Sequence, residues 1–551
     1  MFKRLILITA LFVGFQHPIV AQIDETILPK TSTWKASLFS KLDEVLLPAF
    51  SNALAGQRDE ADVKKGKAPK FARSQPVNIN PYNAGSWTEL PDGGGVWRMQ
   101  ITSAGALGLV PVFEKLYLPA GASLHIYMPS GEETIGAFTH ANTPEPRGLC
   151  TGLIHGESCI VEYYEPAEHR GEGILQLQSI GHAYRWVQPL RRGISPGKSD
   201  TCEVNVNCSE GANWQDQKRS VVLILIVDNE GEGYCSGSLL NNAKDDCTPY
   251  VLSAQHCGEF SKAADYNNWV FYFNYEAATC TDSSGSLNHF INGCTKLADS
   301  DDDGGDYGSD FLLMRLSNSI PPSFNAFLSG WDRSGAIPDS TVCIHHPQGD
   351  VKKIYTSSTS PKIVSWVDIV DSTHWDVTWS VTAHGHGITE EASSGSPLFN
   401  QQGHIIGSLS GGDSYCDEPL QSDQFGRFYF HWDMNDVSDS VQLKPWLDPD
   451  STGILMLDGR NASCITAIAE IHKPSFTFEL FPNPTSGAVQ LVFDEANLKT
   501  IRVFDLFGQE ISEANYSSKV VKLDLTTLNR GIYLVEARSS LGTSVKRITL
   551  N

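Results

Sequence analysis

Past its N-terminus the chain has no apolar run reaching ~18 residues, the length an apolar helix needs to cross a bilayer, so no later membrane span is expected. Basic residues are few. Forty-one Lys and Arg against 64 Asp and Glu leave a formal charge of −23. Backbone contact with nucleic acid needs a cationic face, so nucleic acid is not an expected partner. The acidity suits a soluble exported protein. Internal repeats are missing, and helix-period patterns are scarce after residue 193.

At 551 residues the chain is too long for one ordinary core, and about two to four domains are expected. Lys3 and Arg4 precede an apolar stretch from Leu5 to Phe15, and Ile19-Val20-Ala21 offers a small-residue cleavage site. That pattern reads as a signal peptide over residues 1–21 and places the protein outside the cytoplasm. The 12 cysteines then read as disulfides first.

Residues 22–192 form a proposed proregion. Its Lys64–Lys70 stretch has a linker's composition, and short alternating runs between about 85 and 190 point to a β-sandwich-like part. Cys150 and Cys159, nine residues apart, are a candidate local pair. Gly193 to Lys198 reads as a joint. A second all-β texture runs over 193–459, the pattern of a double β-barrel. Residues 460–474 read as a linker, and 475–551 as a small third β unit.

Within 193–459, three segments carry chemistry in the order His, Asp, Ser. They are Ala254-Gln255-His256-Cys257, Ser309-Asp310-Phe311 and Ser394-Gly395-Ser396-Pro397. That order is the chymotrypsin type of triad rather than the subtilisin or α/β-hydrolase type. A serine hydroxyl needs an adjacent base, and the base needs an orienting group. His256 is the candidate base, Asp310 its orienter, and Ser394 the nucleophile. The backbone N–H groups of Ala392 and Ser394 are the expected oxyanion hole. Each segment alone is an ordinary turn, loop or strand start. Their conjunction in one exported all-β segment points to acyl transfer.

Two other motifs carry no assignment. Asp299-x-Asp301-x-Asp303-Gly304 matches the first half of a calcium loop with Asp310 twelfth, yet the bidentate Glu and flanking helices are missing. It reads as an acidic surface loop. His345-His346 and His384-Gly-His386 have no Cys or carboxylate spacing to complete a site, so no metal or cofactor is expected.

Residues of about 193–459 resemble the lysyl endopeptidase group of trypsin-like serine peptidases. The resemblance rests on Cys235-Ser-Gly-Ser-Leu-Leu-Asn-Asn242, Val251-Leu-Ser-Ala-Gln-His-Cys257, His345-His-Pro-Gln-Gly-Asp350, Ser393-Ser-Gly-Ser-Pro-Leu398, Ser422-Asp-Gln-Phe-Gly-Arg427 and Trp446-Leu-Asp-Pro-Asp-Ser-Thr-Gly453. It implies the same triad and assigns Asp423 to the base of a pocket that binds a lysine ammonium. A buried carboxylate without a cation disfavours apolar side chains there. Ser408 to Gly412 is the implied substrate-pairing strand, with Ser410, Gly411 and Gly412 nearest the substrate. The implied disulfides are Cys202–Cys416, Cys208–Cys280 and Cys235–Cys257. Cys247 and Cys294 remain as a candidate extra pair, and Cys343 and Cys464 have no obvious partners. Two positions depart from the family. Position 392 is usually Gly and is Ala here, and Ser410 stands where a well-known relative has a histidine. The reading is therefore a lysine-directed endopeptidase acting on peptides. The alternatives are broader Lys/Arg specificity, or a weak pseudoprotease or adhesin.

The last unit resembles the type A sorting domain of the type IX secretion system. Leu480-Phe-Pro-Asn-Pro-Thr-Ser-Gly487, Val503 to Gly508, Gly531-Ile-Tyr-Leu-Val535 and Lys546-Arg547 carry that resemblance. It implies passage across the outer membrane and contact with that secretion machinery. The 85–190 region resembles propeptides of related peptidases. Self-cleavage after Lys198 is the expected maturation.

Overall fold

The computed structural model describes residues 23–551 apart from 36–38, 40–41, 64–68, 186–198, 282–283, 368, 419, 464–477, 494–498, 506–508 and 540–541. The expected signal peptide, the joint with Lys198 and most of the 460–474 linker therefore lie outside the described residues. The chain is mainly β and divides into two compact units, Met1–Ser463 and Cys464–Asn551.

In the first unit, the run Val221-Val-Leu-Ile-Leu-Ile-Val227 has the β-branched and apolar composition of a strand buried on both faces. It forms the strand Val221–Asp228. Alternate side chains go to different cores. Val222, Ile224 and Ile226 face a barrel interior with Leu239, Val251, Phe271 and Met314. Leu223, Leu225 and Val227 face the other way, into a core with Leu109, Val112, Phe113 and Leu177 of the expected proregion. Both faces are covered, so the strand shows no polar alternation.

That barrel is built on Phe290–Asn292, Val270–Tyr272, Val221–Asp228, Gly231–Leu240, Tyr250–Ser253, Leu312–Leu316 and Cys294–Asp299. Strand Gly231–Leu240 divides its pairing. Its end runs against Tyr250–Ser253, while Glu232 and Gly233 pair with Ala72 and Lys70 of strand Lys70–Ile79. The upstream strands Ile174–Ala183, Gly108–Tyr117 and Arg147–Cys150 continue outward from there. The upstream region thus extends the barrel's own sheet. A second upstream sheet contains Gly95–Thr102, Ser123–Tyr127 and Ser158–Glu165.

A further sheet orders Lys353–Ser357, Thr341–His345, Pro397–Asn400, Ile405–Gly412, Ser422–Arg427, His374–Thr378 and Lys362–Val364. Its own core holds Tyr355, Trp375, Trp379, Leu398 and Phe425. Val221, Leu252, Phe311, Leu313, Ile344, Phe399 and Trp432 fill the space between it and the first barrel.

The three disulfides implied by the resemblance are present: Cys202–Cys416, Cys208–Cys280 and Cys235–Cys257. Two other pairings are corrected. Cys150 and Cys159 are both free and buried, because Cys150 lies on a strand beside Val112 in one sheet and Cys159 beside Ile101 in the other. Cys294 is a free, buried thiol as well, so it is not the partner of Cys247, which is disulfide-bonded. Cys343 is free inside the second barrel.

The second unit is a small sandwich. One sheet carries Phe478–Phe481, Ala488–Phe493 and Val520–Asp524. The other carries Glu510–Tyr516, Lys499–Phe504, Gly531–Ser539 and Gly542–Leu550. Alternating Val489, Leu491 and Phe493 meet Ile501, Val503, Val535 and Ala537 between them. No helix among the described residues is long and apolar enough to cross a membrane.

Candidate active site

Register brings His256 and Asp310 together. Strands Tyr250–Ser253 and Leu312–Leu316 are antiparallel, with Ser253 opposite Leu312. The chain just beyond Ser253 and just before Leu312 therefore emerges at one end of the barrel. There a short helical turn, Gln255–Gly258, carries His256. The Cys235–Cys257 disulfide fastens it to the neighbouring strand.

Asp310 is completely buried. Its Oδ2 accepts the Nδ1–H of His256 at 2.8 Å, and its Oδ1 accepts the His256 backbone N–H at 3.0 Å. This two-point contact fixes the ring. The Nδ1 proton lies toward the carboxylate, so Nε2 is left as the acceptor. Burial opposes the imidazolium, but the charge and hydrogen bond of Asp310 outweigh it and raise the His256 pKa above its usual value. Burial also opposes the charged form of Asp310, and the contacts from His256 and the Ser410 hydroxyl reverse that and lower its pKa.

Asp302 supports this aspartate, and sequence reasoning passed over it. Its carboxylate accepts the N–H of Asp310 at 2.8 Å and of Gly305 at 3.1 Å. Burial first, and the nearby charge of Asp310 second, push its pKa up to about 6. The carboxylates of the calcium-like motif diverge. Asp299 pairs with Lys296, while Asp301 and Asp303 are exposed.

Ser394 sits on the loop before strand Pro397–Asn400. Its carbonyl accepts the N–H of Ser236 at 2.9 Å, and the carbonyl of Ala392 accepts the Ser236 hydroxyl at 2.9 Å. These bonds tie the loop to the first barrel, whose strand also bears Cys235. Gly395 has φ +80°, and a Cβ there would lie 2.1 Å from Ser253 Oγ and 2.6 Å from the Ser236 carbonyl. Only glycine fits this crossing. Gly395 donates to Leu409 O at 2.8 Å and Ser393 donates to Glu390 O at 3.0 Å. Among the described residues, the N–H groups of Ala392 and Ser394 have no such partner. Ala392 takes φ +72°. The alanine therefore keeps the left-handed backbone a glycine would adopt freely.

Strand Ile405–Gly412 is interior over its first half, against Pro397–Asn400. From Ser410 onward, among the described residues, it pairs on one side only, with Gly412 opposite Asp423. Asp423 is completely buried. Its Oδ2 accepts Trp379 Nε1–H at 2.6 Å and the Ser414 hydroxyl at 2.7 Å, and no Lys or Arg among the described residues pairs with it. Burial raises its pKa. A Cβ at Gly412 would lie 2.0 Å from Asp423 Oδ1, so only glycine fits against the carboxylate. Trp379 and Ser414 hold this carboxylate. Sequence reading had no signal for them, because their roles follow from strand register.

The histidine motifs are engaged elsewhere. His345 Nδ1 meets Ser393 Oγ at 2.7 Å and its Nε2 meets the buried Glu203 at 3.3 Å. His346 bonds the Asp350 carbonyl, and His384 bonds Glu210. His384 and His386 lie beside the Cys208–Cys280 and Cys202–Cys416 disulfides, whose sulfurs are already bonded.

The comparisons with known proteins make this chain a serine endopeptidase. Residues 196–426 match the lysyl endopeptidase C-terminal domain family, and residues 479–551 match the secretion system C-terminal sorting domain family. The chain is 27% identical over 366 residues to a lysyl endopeptidase of Pseudomonas aeruginosa, covering 62% of this chain and 74% of that protein. Among solved structures, a thermostable serine protease from an extremophilic microorganism aligns with TM-score 0.29 and 16% identity over 39% of this chain and 93% of its own. A Glu endopeptidase aligns with TM-score 0.27 and 15% identity over 42% of this chain and 94% of its own. The protein is a lysyl endopeptidase-like serine peptidase with a type IX sorting tail, secreted or held at the cell surface.

Proposed function

We propose that the protein hydrolyses peptide bonds on the carboxyl side of lysine, with His256, Asp310 and Ser394 as its triad. The observation that carries this reading is the two-point grip of Asp310 on His256 beside a loop whose Ala392 and Ser394 N–H groups are uncommitted. His256 Nε2 takes the proton of the Ser394 hydroxyl as Oγ attacks the scissile carbonyl. The negative oxygen that forms is met by the two N–H groups, each such donor being worth about 3 kcal/mol in the transition state. His256 returns the proton to the leaving amine, and water then releases the acyl group by the same route.

Lysine selectivity falls to Asp423. Its Oδ2 accepts from Trp379 and the Ser414 hydroxyl and its Oδ1 from the Ser414 N–H, so the buried carboxylate meets only neutral donors and a lysine ammonium would supply the countercharge. A compact site of this kind suits the point charge of an ammonium better than the planar fork of arginine. Residues 22–192 act as a proregion. Their strand Lys70–Ile79 occupies the edge of Gly231–Leu240, next to Cys235 and the turn bearing His256. Arg185 also pairs with Glu391, beside Ala392, at 2.7 Å. Cleavage near Lys198 would cut the covalent link and leave this cover packed on the barrel, and the sorting unit would engage the type IX machinery.

The test is labelling of the matured protein with a phosphonofluoridate, together with matched Lys and Arg peptide substrates. Label on Ser394 with turnover confined to Lys supports the proposal. Equal Arg turnover would replace it with a broader trypsin-like specificity. Absence of label and turnover would leave a pseudoprotease.

A further inference from the structure

One edge of strand Gly231–Leu240 is taken by Val221–Asp228 all the way from Gly231 to Ser238. The opposite edge is shared. Tyr250–Ser253 pairs at Ser238–Leu240, the Ser236 N–H meets the Ser394 carbonyl, and strand Lys70–Ile79 pairs at Glu232 and Gly233. The upstream segment therefore continues the line on which the nucleophile loop sits, about three residues or roughly 10 Å further along. Pro69 walls two cavities there. One is also lined by His256, Cys257 and Phe260, the other by Tyr234, Glu391 and Ala392. Pro69 thus borders both the base and the expected oxyanion loop.

In the proposed reaction His256 hands its proton to the leaving amine, so the leaving half of a substrate departs past His256. The acyl half takes the other side, along Ser410–Gly412. From Ser394 the path for the leaving half is the edge of Cys235, Tyr234 and Gly233. The upstream strand already lies on that path with a leaving half's polarity. Its pairing is antiparallel, and Lys70 opposite Gly233 lies nearer Ser236 than Ala72 opposite Glu232 does. The N-terminal end of the strand therefore faces the nucleophile, as the new amine of a cleaved peptide would.

We infer that Pro69, Lys70 and Phe71 fill the leaving-side subsite of this protease as an internal stand-in for the released half of a substrate. Lys70 Nζ donates to Asp228 Oδ2 at 2.6 Å, the two side chains being 10% and 8% exposed. The Phe71 ring stacks on Tyr234 at 4.7 Å. The Tyr184 hydroxyl and Arg185 Nε–H donate to the Lys70 carbonyl at 2.6 and 2.7 Å, and Arg185 pairs with Glu391 at 2.7 Å. A Cβ at Gly233 would lie 2.8 Å from the Pro69 carbonyl, so glycine lets the two chains close. An extended peptide added to a sheet edge makes the same kind of contact whether it comes from a substrate or from the chain itself. The cover blocks peptides that run well past the cleaved bond and spares those that end close to it.

The inference rests on the endopeptidase reading, so its test keeps the two apart. The full chain, with its upstream region shown by mass to be retained, is given two acylated lysyl peptide amides. One carries a single residue after the lysine, the other four. The wild type should have the higher kcat/KM on the short peptide, reversing the gain that added substrate contacts ordinarily bring. Lys70→Ala combined with Phe71→Ala removes the ion pair and the stacked ring. Because breaking a buried ion pair is strongly unfavourable, this variant should raise the long-to-short ratio of kcat/KM by roughly tenfold and change the short-peptide value by less than about twofold. Equal use of both peptides by the wild type would overturn the inference. So would an unmoved ratio in the folded variant, or an equal rise on both peptides. If the double variant does not fold, Arg185→Ala, which removes the bonds to the Lys70 carbonyl and Glu391, is held to the same ratio. A wild type that neither turns over the short peptide nor takes a phosphonofluoridate on Ser394 would sink the endopeptidase reading itself, and the inference with it.

Discussion

Ala392 has a side chain where the backbone turns left-handed, at φ +72°. For a residue with a Cβ that conformation costs about 1–2 kcal/mol. Its N–H and that of Ser394 are the open donors, so the strain sits in the loop that would bind the oxyanion. Ala392→Gly is therefore expected to raise the melting temperature and to leave kcat/KM equal or higher. A calorimetric melt and a rate assay decide it, and a loss in both would mean the alanine methyl is needed for packing. His256 makes a second prediction. Its pKa is raised above 6.5, the base must be neutral, and kcat/KM should therefore climb as pH rises past that value. A profile already flat below pH 6 would contradict the pairing with Asp310. At Asp423, replacement by Asn removes the charge and leaves the buried site intact. Lysine preference should fall by on the order of 10⁴, measured as a ratio of kcat/KM between Lys and an uncharged residue.

At the scale of elements, the region upstream of residue 186 and the protease barrel share one sheet and one core. Leu223, Leu225, Val227, Val270 and Tyr272 of the barrel are buried with Leu109, Val112 and Phe113 of the upstream region. Uncovering five such side chains costs on the order of 10 kcal/mol, which is comparable to the stability of a whole domain. Residues 199–474 produced alone should therefore bind a hydrophobic dye and lack a cooperative melt. Adding residues 23–185 in trans should restore the melt. A sharp transition in the isolated barrel would show that its outer face tolerates water. The sequence announced a strand at Val221–Val227 but could not say why it lacked alternation, because the cover comes from residues about a hundred positions upstream. The contact of His256 with Asp310 was legible because each sits at a strand end within a short distinctive segment. Asp302 and Trp379 were not, because a lone polar or aromatic residue acquires a partner only through register. The pairing of Cys150 with Cys159 failed for the same reason, since nearness in sequence did not reveal that two sheets separate them.

At the scale of the molecule, the boundary near residue 463 separates chemistry from delivery. The last unit has its own core of Val489, Leu491, Ile501, Val503 and Val535 between two sheets. The site residues all lie in the first unit, and so do the three resolved disulfides. A unit with a closed core of its own is expected to melt by itself. Truncation after Pro474, which keeps all 12 cysteines, should then leave the transition of the first unit and its turnover of lysyl substrates unchanged. Export should fail, because the sorting domain is gone. Fractionation of cells producing the truncated chain should find it in the periplasm and not in the medium or at the surface. Calorimetry of the full chain should resolve two transitions, of which only the one assigned to residues 478–551 disappears on truncation. A truncated protein that still reaches the medium would place the export signal elsewhere, and one that loses the main transition would tie the two units into one cooperative body.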